Sequence, residues 1–122
     1  MKLAESAGVF AAYAAWRMTG SSRAGRTLIE ALASADETNR TVAGILLVRA
    51  RERSVPLLRD ALARGQSVPM ALRILGDSGA RELEGQIGEY ARSEDPAIAR
   101  AARDALRALQ RSPDSDRPPD HR

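Results

Sequence analysis

Apolar and polar residues alternate with a helical period along most of this chain, and the pattern is clearest in its last third. Leu83, Ile87, Tyr90 and Ala91 follow one another at i, i+4, i+7 and i+8. A second set with three-and-four spacing consists of Ile98, Ala101, Ala102, Ala105, Leu106 and Leu109. Because this spacing places apolar side chains on one side of an α-helix, it predicts two consecutive amphipathic helices. The alanines of the second helix allow another helix to approach it closely.

The segment between these two predicted helices has the chemistry of a helix start. Asp95 is placed to accept hydrogen bonds from the unpaired N–H groups of the second helix. Pro96 follows it, and proline suits the first position of a helix because no N–H is needed there. The sequence therefore predicts a helical hairpin that turns at residues 93–96.

Two less regular copies of the same hairpin lie upstream. The first has its opening helix at Leu28, Ile29 and Leu32, its turn at Asp36 and Arg40, and its second helix at Ala43, Leu46 and Leu47. The second has its opening helix at Val55, Pro56, Leu57, Leu58 and Leu62, and its second helix at Val68, Ala71, Leu72 and Leu75. Equivalent leucines are 30 residues apart from Leu28 to Leu58 and 25 apart from Leu58 to Leu83. A period of this kind is typical of helical repeats.

The hairpin with an Asp-Pro turn, an Ala-rich second helix and a closing Leu-Gly-Asp resembles a HEAT repeat. Leu75, Gly76 and Asp77 match that closing triplet. The units are shorter than the roughly 40 residues usual for the family and are similar to the short repeats of phycobilin lyases. Ala99 departs from the family pattern, which often has an arginine there, and residues 64–67 replace an acidic turn. The resemblance implies an all-α fold, a short α-solenoid of about seven antiparallel helices whose second helices line a concave face.

The two ends of the chain are predicted to differ. Near the start, we expect a leading helix that directs Phe10, Ala12 and Trp16 toward the core and stops at residues 20–22. A secretory signal is the less suitable alternative, because the apolar stretch is short and lacks a cleavage site. Residues 112–122 contain three prolines, alternating charges and no apolar residue, which predicts a disordered tail. The predicted domain is therefore residues 1–111, with a leading helix and three hairpins.

Composition narrows the class of protein. A chain of 122 residues with 43% hydrophobic residues suits one domain with a core. Only 3% of the residues are aromatic, so the core must consist of aliphatic side chains and alanine. The absence of cysteine fits a cytoplasmic protein. The chain has no uninterrupted run of about 18 apolar residues, so we expect no membrane-spanning segment and no membrane partner.

Candidate chemistry is sparse. The sequence has no Cys or His cluster at metal-ligand spacing, no phosphate-binding glycine loop and no Gly-x-Ser-x-Gly motif. Gly76 and Gly79 lie near a predicted helix end, where glycine is the usual stop signal. His121, the only histidine, belongs to the predicted tail. We therefore expect a protein that is not an enzyme, with no catalytic residue, metal or cofactor.

Arginine is the one strongly enriched charged residue. From Arg49 to Arg73 the chain has six arginines against two acidic residues, although its net charge is only +3. Arg100, Arg103, Arg107 and Arg111 recur at three-and-four spacing on the last predicted helix. A basic stripe of this kind is typical of a surface that meets phosphates or acidic protein segments. The alternative is an ordinary solvated helix face.

An apolar strip is the sharper functional signal. When the second helices are aligned on Trp16, Leu47, Leu72 and Leu106, four apolar residues fall at positions predicted to face water: Met18, Ile45, Met70 and Ile74. Four arginines are predicted at the border of this strip: Arg49, Arg73, Arg103 and Arg107. Exposed apolar side chains with a charged rim are typical of protein-binding surfaces. Burial between neighbouring helices, or in a homo-oligomer, is the competing interpretation.

Two functions follow from these signals. The first hypothesis is a scaffold or adaptor that binds a protein or peptide, either an amphipathic helix or an extended acidic segment, on its concave face. The alternative is binding of a nucleic-acid backbone through the arginine-rich face, by fold-level analogy with HEAT-like DNA glycosylases. A phycobilin-lyase relative is a third hypothesis, but one histidine and few aromatics provide little for a chromophore pocket.

Overall fold

The computed structural model describes the backbone of residues 3–111 and the side chains of residues 7–111. Within that range the chain forms seven α-helices and no β-strand, which confirms the all-α class. The helices are α1 (Leu3–Thr19), α2 (Ser22–Ala31), α3 (Glu37–Ala50), α4 (Ser54–Ala63), α5 (Val68–Asp77), α6 (Glu84–Tyr90) and α7 (Pro96–Arg111). Short 3-10 turns precede α4 and α6. The predicted disordered tail, residues 112–122, lies outside the described residues.

Helix α7 begins as its sequence predicts. The Asp95 Oδ1 atom accepts hydrogen bonds from the Ala97 N–H at 2.9 Å and the Ile98 N–H at 3.4 Å. Pro96 is the first residue of the helix, where its missing N–H leaves no donor unpaired. The capping role assigned to Asp95 is therefore confirmed.

The two upstream turns use different chemistry. Before α3, Asp36 occupies the capping position without a side-chain capping bond, and the Arg40 guanidinium donates to the Ser34 carbonyl at 2.7 Å. Between α4 and α5, the chain passes through left-handed backbone at Gly65 and Ser67, with φ values of +70° and +48°. Left-handed residues reverse the chain within a short turn. Ser67 is the capping residue of α5, and its side chain makes no capping hydrogen bond.

Helix contacts follow the chain in a regular way. The pairs α2 with α3, α4 with α5, and α6 with α7 are each in contact. Helix α3 also contacts α1 and α5, and α5 packs extensively against α7. At that last contact, a Cβ atom on Gly76 would lie 2.6 Å from the Ala105 Cα atom, closer than real Cβ contacts allow. The predicted close approach of a helix to the alanines of α7 is confirmed.

The core consists mainly of the leucines that the helical period selects. The apolar side chains that are almost fully buried are Leu28, Leu32, Leu47, Leu58, Leu72, Leu75 and Ile87. Two polar residues are also buried, Asn39 and Ser54, and the Ser54 hydroxyl donates a hydrogen bond to the Leu47 carbonyl. That bond satisfies a hydroxyl that would otherwise be buried without a partner.

Helix α1 contains a core prediction that is wrong. Trp16 is buried and Ala12 is half-buried as predicted, but Phe10 is 52% exposed and Val9 is buried instead. The buried side of the helix runs through Val9, Tyr13 and Trp16. Because α1 is apolar on nearly all sides, its apolar spacing cannot select the side that contacts α2 and α3. No helix in the described part of the chain is long and apolar enough to cross a membrane.

Candidate functional site: a cleft between α3 and α5

An open cleft of about 440 Å³ separates the outer parts of α3 and α5. Helix α3 contributes Arg40, Thr41, Gly44, Ile45, Val48 and Arg49, and helix α5 contributes Met70, Arg73, Ile74 and Asp77. A Cβ atom placed on Gly44 would have no atom within 4 Å, so this glycine leaves space in the wall. The volume lies within the range of about 300–1,000 Å³ seen for ligand sites.

The cleft has an apolar floor and an apolar lip. Ile74 belongs to the core and is only 3% exposed, and Met70 and Val48 are half-buried beside it. Ile45 lies at the lip with 54% of its surface exposed. Large side chains with this exposure are places where a partner can remove apolar surface from water.

The prediction that Ile74 faces water is therefore wrong. Helix α5 packs against α3, α4 and, most extensively, α7, and Ile74 belongs to the hydrophobic core that these helices share. This packing buries Ile74 and half of Met70, even though both positions lie away from Leu72 in the aligned helices. Ile74 forms part of the cleft, but as its floor.

The four residues of the predicted apolar strip do not lie on one surface in the structure. Ile45, Met70 and Ile74 line one cleft, whereas Met18 lies outside it at the end of α1. Met18 is 83% exposed, so its predicted exposure is confirmed. Only three of the four predicted residues therefore share one surface, Ile45 on α3 and Met70 and Ile74 on α5.

The four arginines predicted at the border of the strip do not lie together either. Arg49 and Arg73 line the cleft, whereas Arg103 and Arg107 lie on α7 and do not. Arg73 Nη2 lies 3.7 Å from one oxygen of Asp104, and Arg107 pairs with the other oxygen of the same carboxylate. Asp104 therefore neutralises part of the charge that the sequence assigns to this border.

Three further charged residues shape the site and were missed by the partner-binding prediction. Arg40 and Asp77 line the cleft, and Asp104 lies beside it. A signal for Asp104 existed, because it occupies the position in α7 that Ile45 and Met70 occupy in α3 and α5. A carboxylate in that register indicates an ion pair with a neighbouring helix.

The residues that line the cleft carry a net positive charge. Its lining has three arginines and one carboxylate. Arg49 is exposed, and its guanidinium has no hydrogen bond or ion pair with any residue in 7–111. Although Asp77 is exposed as a residue, desolvation raises the pKa of its carboxyl, and the charges of Arg111 and Arg73 partly oppose this. Among the described residues, no group of three or more His, Asp or Glu side chains lies close enough to hold a metal ion.

Comparison with known proteins adds no relative. No protein-family model matches the chain, and neither the curated proteins nor the solved structures yield a match. The resemblance to HEAT repeats stays a prediction that depends on the residues of the hairpins themselves.

Proposed function

We propose that this chain is a non-enzymatic adaptor with a short α-solenoid fold, whose α3/α5 cleft binds an acidic amphipathic helix of a partner protein. The helix contacts support the solenoid part of the proposal. The pairs α2/α3, α4/α5 and α6/α7 would be successive antiparallel hairpins, and α1, α3, α5 and α7 would form one layer through their sequential contacts. A repeat array of this kind exposes one long face for binding.

The observation that carries the binding proposal is the exposed Ile45 above an apolar floor. Ile45 is 54% exposed, while Met70 and Ile74 below it are half-buried and buried. A helix lying between two helices presents apolar side chains at i, i+3, i+4 and i+7, which suits a groove of this shape. Met70 has an unbranched, adaptable side chain and can adjust to such a face.

Charge determines which amphipathic helix fits. Arg49 is a free cation among the described residues, and Arg40 lies on the same lining. Acidic residues beside the apolar stripe of a partner would lie near these guanidinium groups. Complementary charge of this kind mainly sets specificity and the rate of association.

Selection from a peptide library tests this proposal directly. Helical peptides of random sequence are displayed and selected for binding to the purified protein. We expect the selected peptides to share an apolar stripe with Asp or Glu at its edges. Their binding should be lost in Ile45→Asp, because a carboxylate at the lip meets both the apolar stripe and the acidic edges of the peptide.

Met18→Asp is the matched control. Met18 and Ile45 are both large, apolar and exposed, but only Ile45 lines the cleft. Binding should therefore survive Met18→Asp, and circular dichroism should show that both variants stay helical. Selected peptides that bind Ile45→Asp as well as the parent protein, or that carry basic edges, would contradict the proposal.

The nucleic-acid hypothesis receives less support from the arrangement of charges. Arg73 and Arg107 share Asp104, and Arg103 lies on a different helix from the cleft arginines. Binding through phosphates should weaken by about 0.9 log units per log unit of salt for each contact. A gel shift with duplex or single-stranded nucleic acid that follows this salt dependence would reverse our preference.

A further inference from the structure

A second depression, of about 470 Å³, lies between the end of α1, the start of α2 and one side of α4 along its whole length. It shares no residue with the α3/α5 cleft and has a more polar lining. Its lining includes three arginines, Arg26, Arg53 and Arg64, and one acidic residue, Asp60. None of these residues belongs to the surface described above.

The positive charges in this depression exceed the negative ones. Arg64 Nε pairs with Asp60 Oδ2 at 2.8 Å, and Arg53 Nη1 donates to the Arg17 carbonyl at 3.2 Å. The guanidinium of Arg26 has no hydrogen bond or ion pair with residues 7–111. Since each guanidinium has five N–H donors, Arg53 and Arg64 retain donors for a ligand. Three cations against one anion leave two positive charges uncompensated.

The start of α2 adds further positive potential to this depression. Ser22 lines the depression and is the first residue of this ten-residue helix. The capping Ser21 side chain accepts from Ala24 N–H at 3.2 Å, and its carbonyl accepts from Gly25 N–H at 3.0 Å. The N–H groups of Ser22 and Arg23 have no acceptor among residues 7–111. A helix start carries partial positive charge and favours an anion.

We propose that this depression is an oxyanion site that binds the phosphoryl dianion of inorganic phosphate or of a small phosphate monoester. The two uncompensated charges match a dianion better than a carboxylate. Arginine is suited to this ligand because its planar donor pairs bind two phosphate oxygens at once. The side chains of Pro56 and Leu57, also in the lining, offer an apolar wall to the organic part of a monoester.

The chain contains its own reporter for this site. Trp16 is the only tryptophan, lines the depression and is 8% exposed. Its fluorescence is followed during titration with inorganic phosphate, with sodium chloride adjusted to constant ionic strength. We expect a saturable change with phosphate and none with acetate. A second titration with a nucleoside 5′-monophosphate distinguishes the two sources, because tighter binding than phosphate indicates a monoester.

Variants connect the signal to the arginines. The double variant Arg26→Ala with Arg53→Ala should bind phosphate at least about tenfold more weakly, since each removes charge-assisted hydrogen bonds. Lysine at both positions should give an intermediate affinity, because it keeps the charge but loses the paired donors. Arg103→Ala removes an exposed arginine of α7 and should leave the affinity unchanged.

Two results would overturn the proposal. One is the absence of a saturable fluorescence change with either phosphate probe in the folded parent protein. The other is an equal affinity in the parent protein and the double alanine variant, which would place any bound phosphate elsewhere. Because the depression and the α3/α5 cleft share no residue, neither result bears on the adaptor proposal.

Discussion

Replacing Gly76 with alanine should lower the stability of this protein, although alanine is normally the better helix former. The added Cβ atom would lie 2.6 Å from the Ala105 Cα atom and 2.8 Å from its carbonyl oxygen. Both are backbone atoms, so no side-chain rotation relieves the contact. Helices α5 and α7 must move apart, and this disturbs an extensive helix contact in the core.

The size of the effect follows from two opposing terms. Alanine gains about 1 kcal/mol over glycine in a helix interior. Overpacking a well-packed contact costs about 1–3 kcal/mol, and a clash with backbone belongs at the upper end of this range. The net loss is then about 2 kcal/mol, which lowers the melting temperature by roughly 8 °C at about 4 °C per kcal/mol.

Thermal and urea denaturation followed by circular dichroism measure this loss. Gly44→Ala is the matched control, because Gly44 also lies in a helix but a Cβ atom there would meet nothing within 4 Å. That variant should gain up to about 1 kcal/mol. The reasoning would be refuted if the two variants changed the free energy of unfolding in the same direction.

Three further substitutions have defined outcomes. Ile74→Asp should lose about 3–5 kcal/mol in urea denaturation because it leaves an unpaired charge at a 3% exposed position, whereas Ile45→Asp should stay close to the parent protein. Asp77→Asn should stabilise the protein at neutral pH. The folded-state pKa of Asp77 is raised, so its ionisation opposes folding above the ordinary value of 3.8, and the gain should vanish below that pH. Parallel pH profiles of stability for the two proteins would exclude this. Asp95→Ala should lose about 1 kcal/mol through the cap of α7, and unchanged unfolding would show that the cap contributes nothing.

The regular parts of the fold were predictable because several local signals agree. At α7, the Asp95 cap, Pro96 and the alanine spacing all indicate the same helix start and the same buried side. In α2 and α4, leucines at three-and-four spacing became core residues, as with Leu28 and Leu58. Local propensity and burial carry the same information in these segments.

Exposure at the candidate site was harder to predict, since it depends on which sides of each helix are covered by its neighbours. Ile74 and Met18 occupy equivalent positions in the aligned helices, yet one is 3% and the other 83% exposed. The difference arises because α5 is packed by several helices, including α7, and Met18 lies close to the end of α1. The burial of Phe10 was predicted wrongly because a helix with apolar residues on all sides gives no periodic signal.

The backbone contact at Gly76 and Ala105 has a mechanical consequence for recognition. Because the backbone of α5 at Gly76 lies directly against Ala105 and the two helices are in extensive contact, we expect α5 to move little on α7. Widening of the cleft would then fall mainly to α3, its other wall. One wall of the cleft would already be ordered before a partner binds, so complex formation would cost less entropy than with two mobile walls.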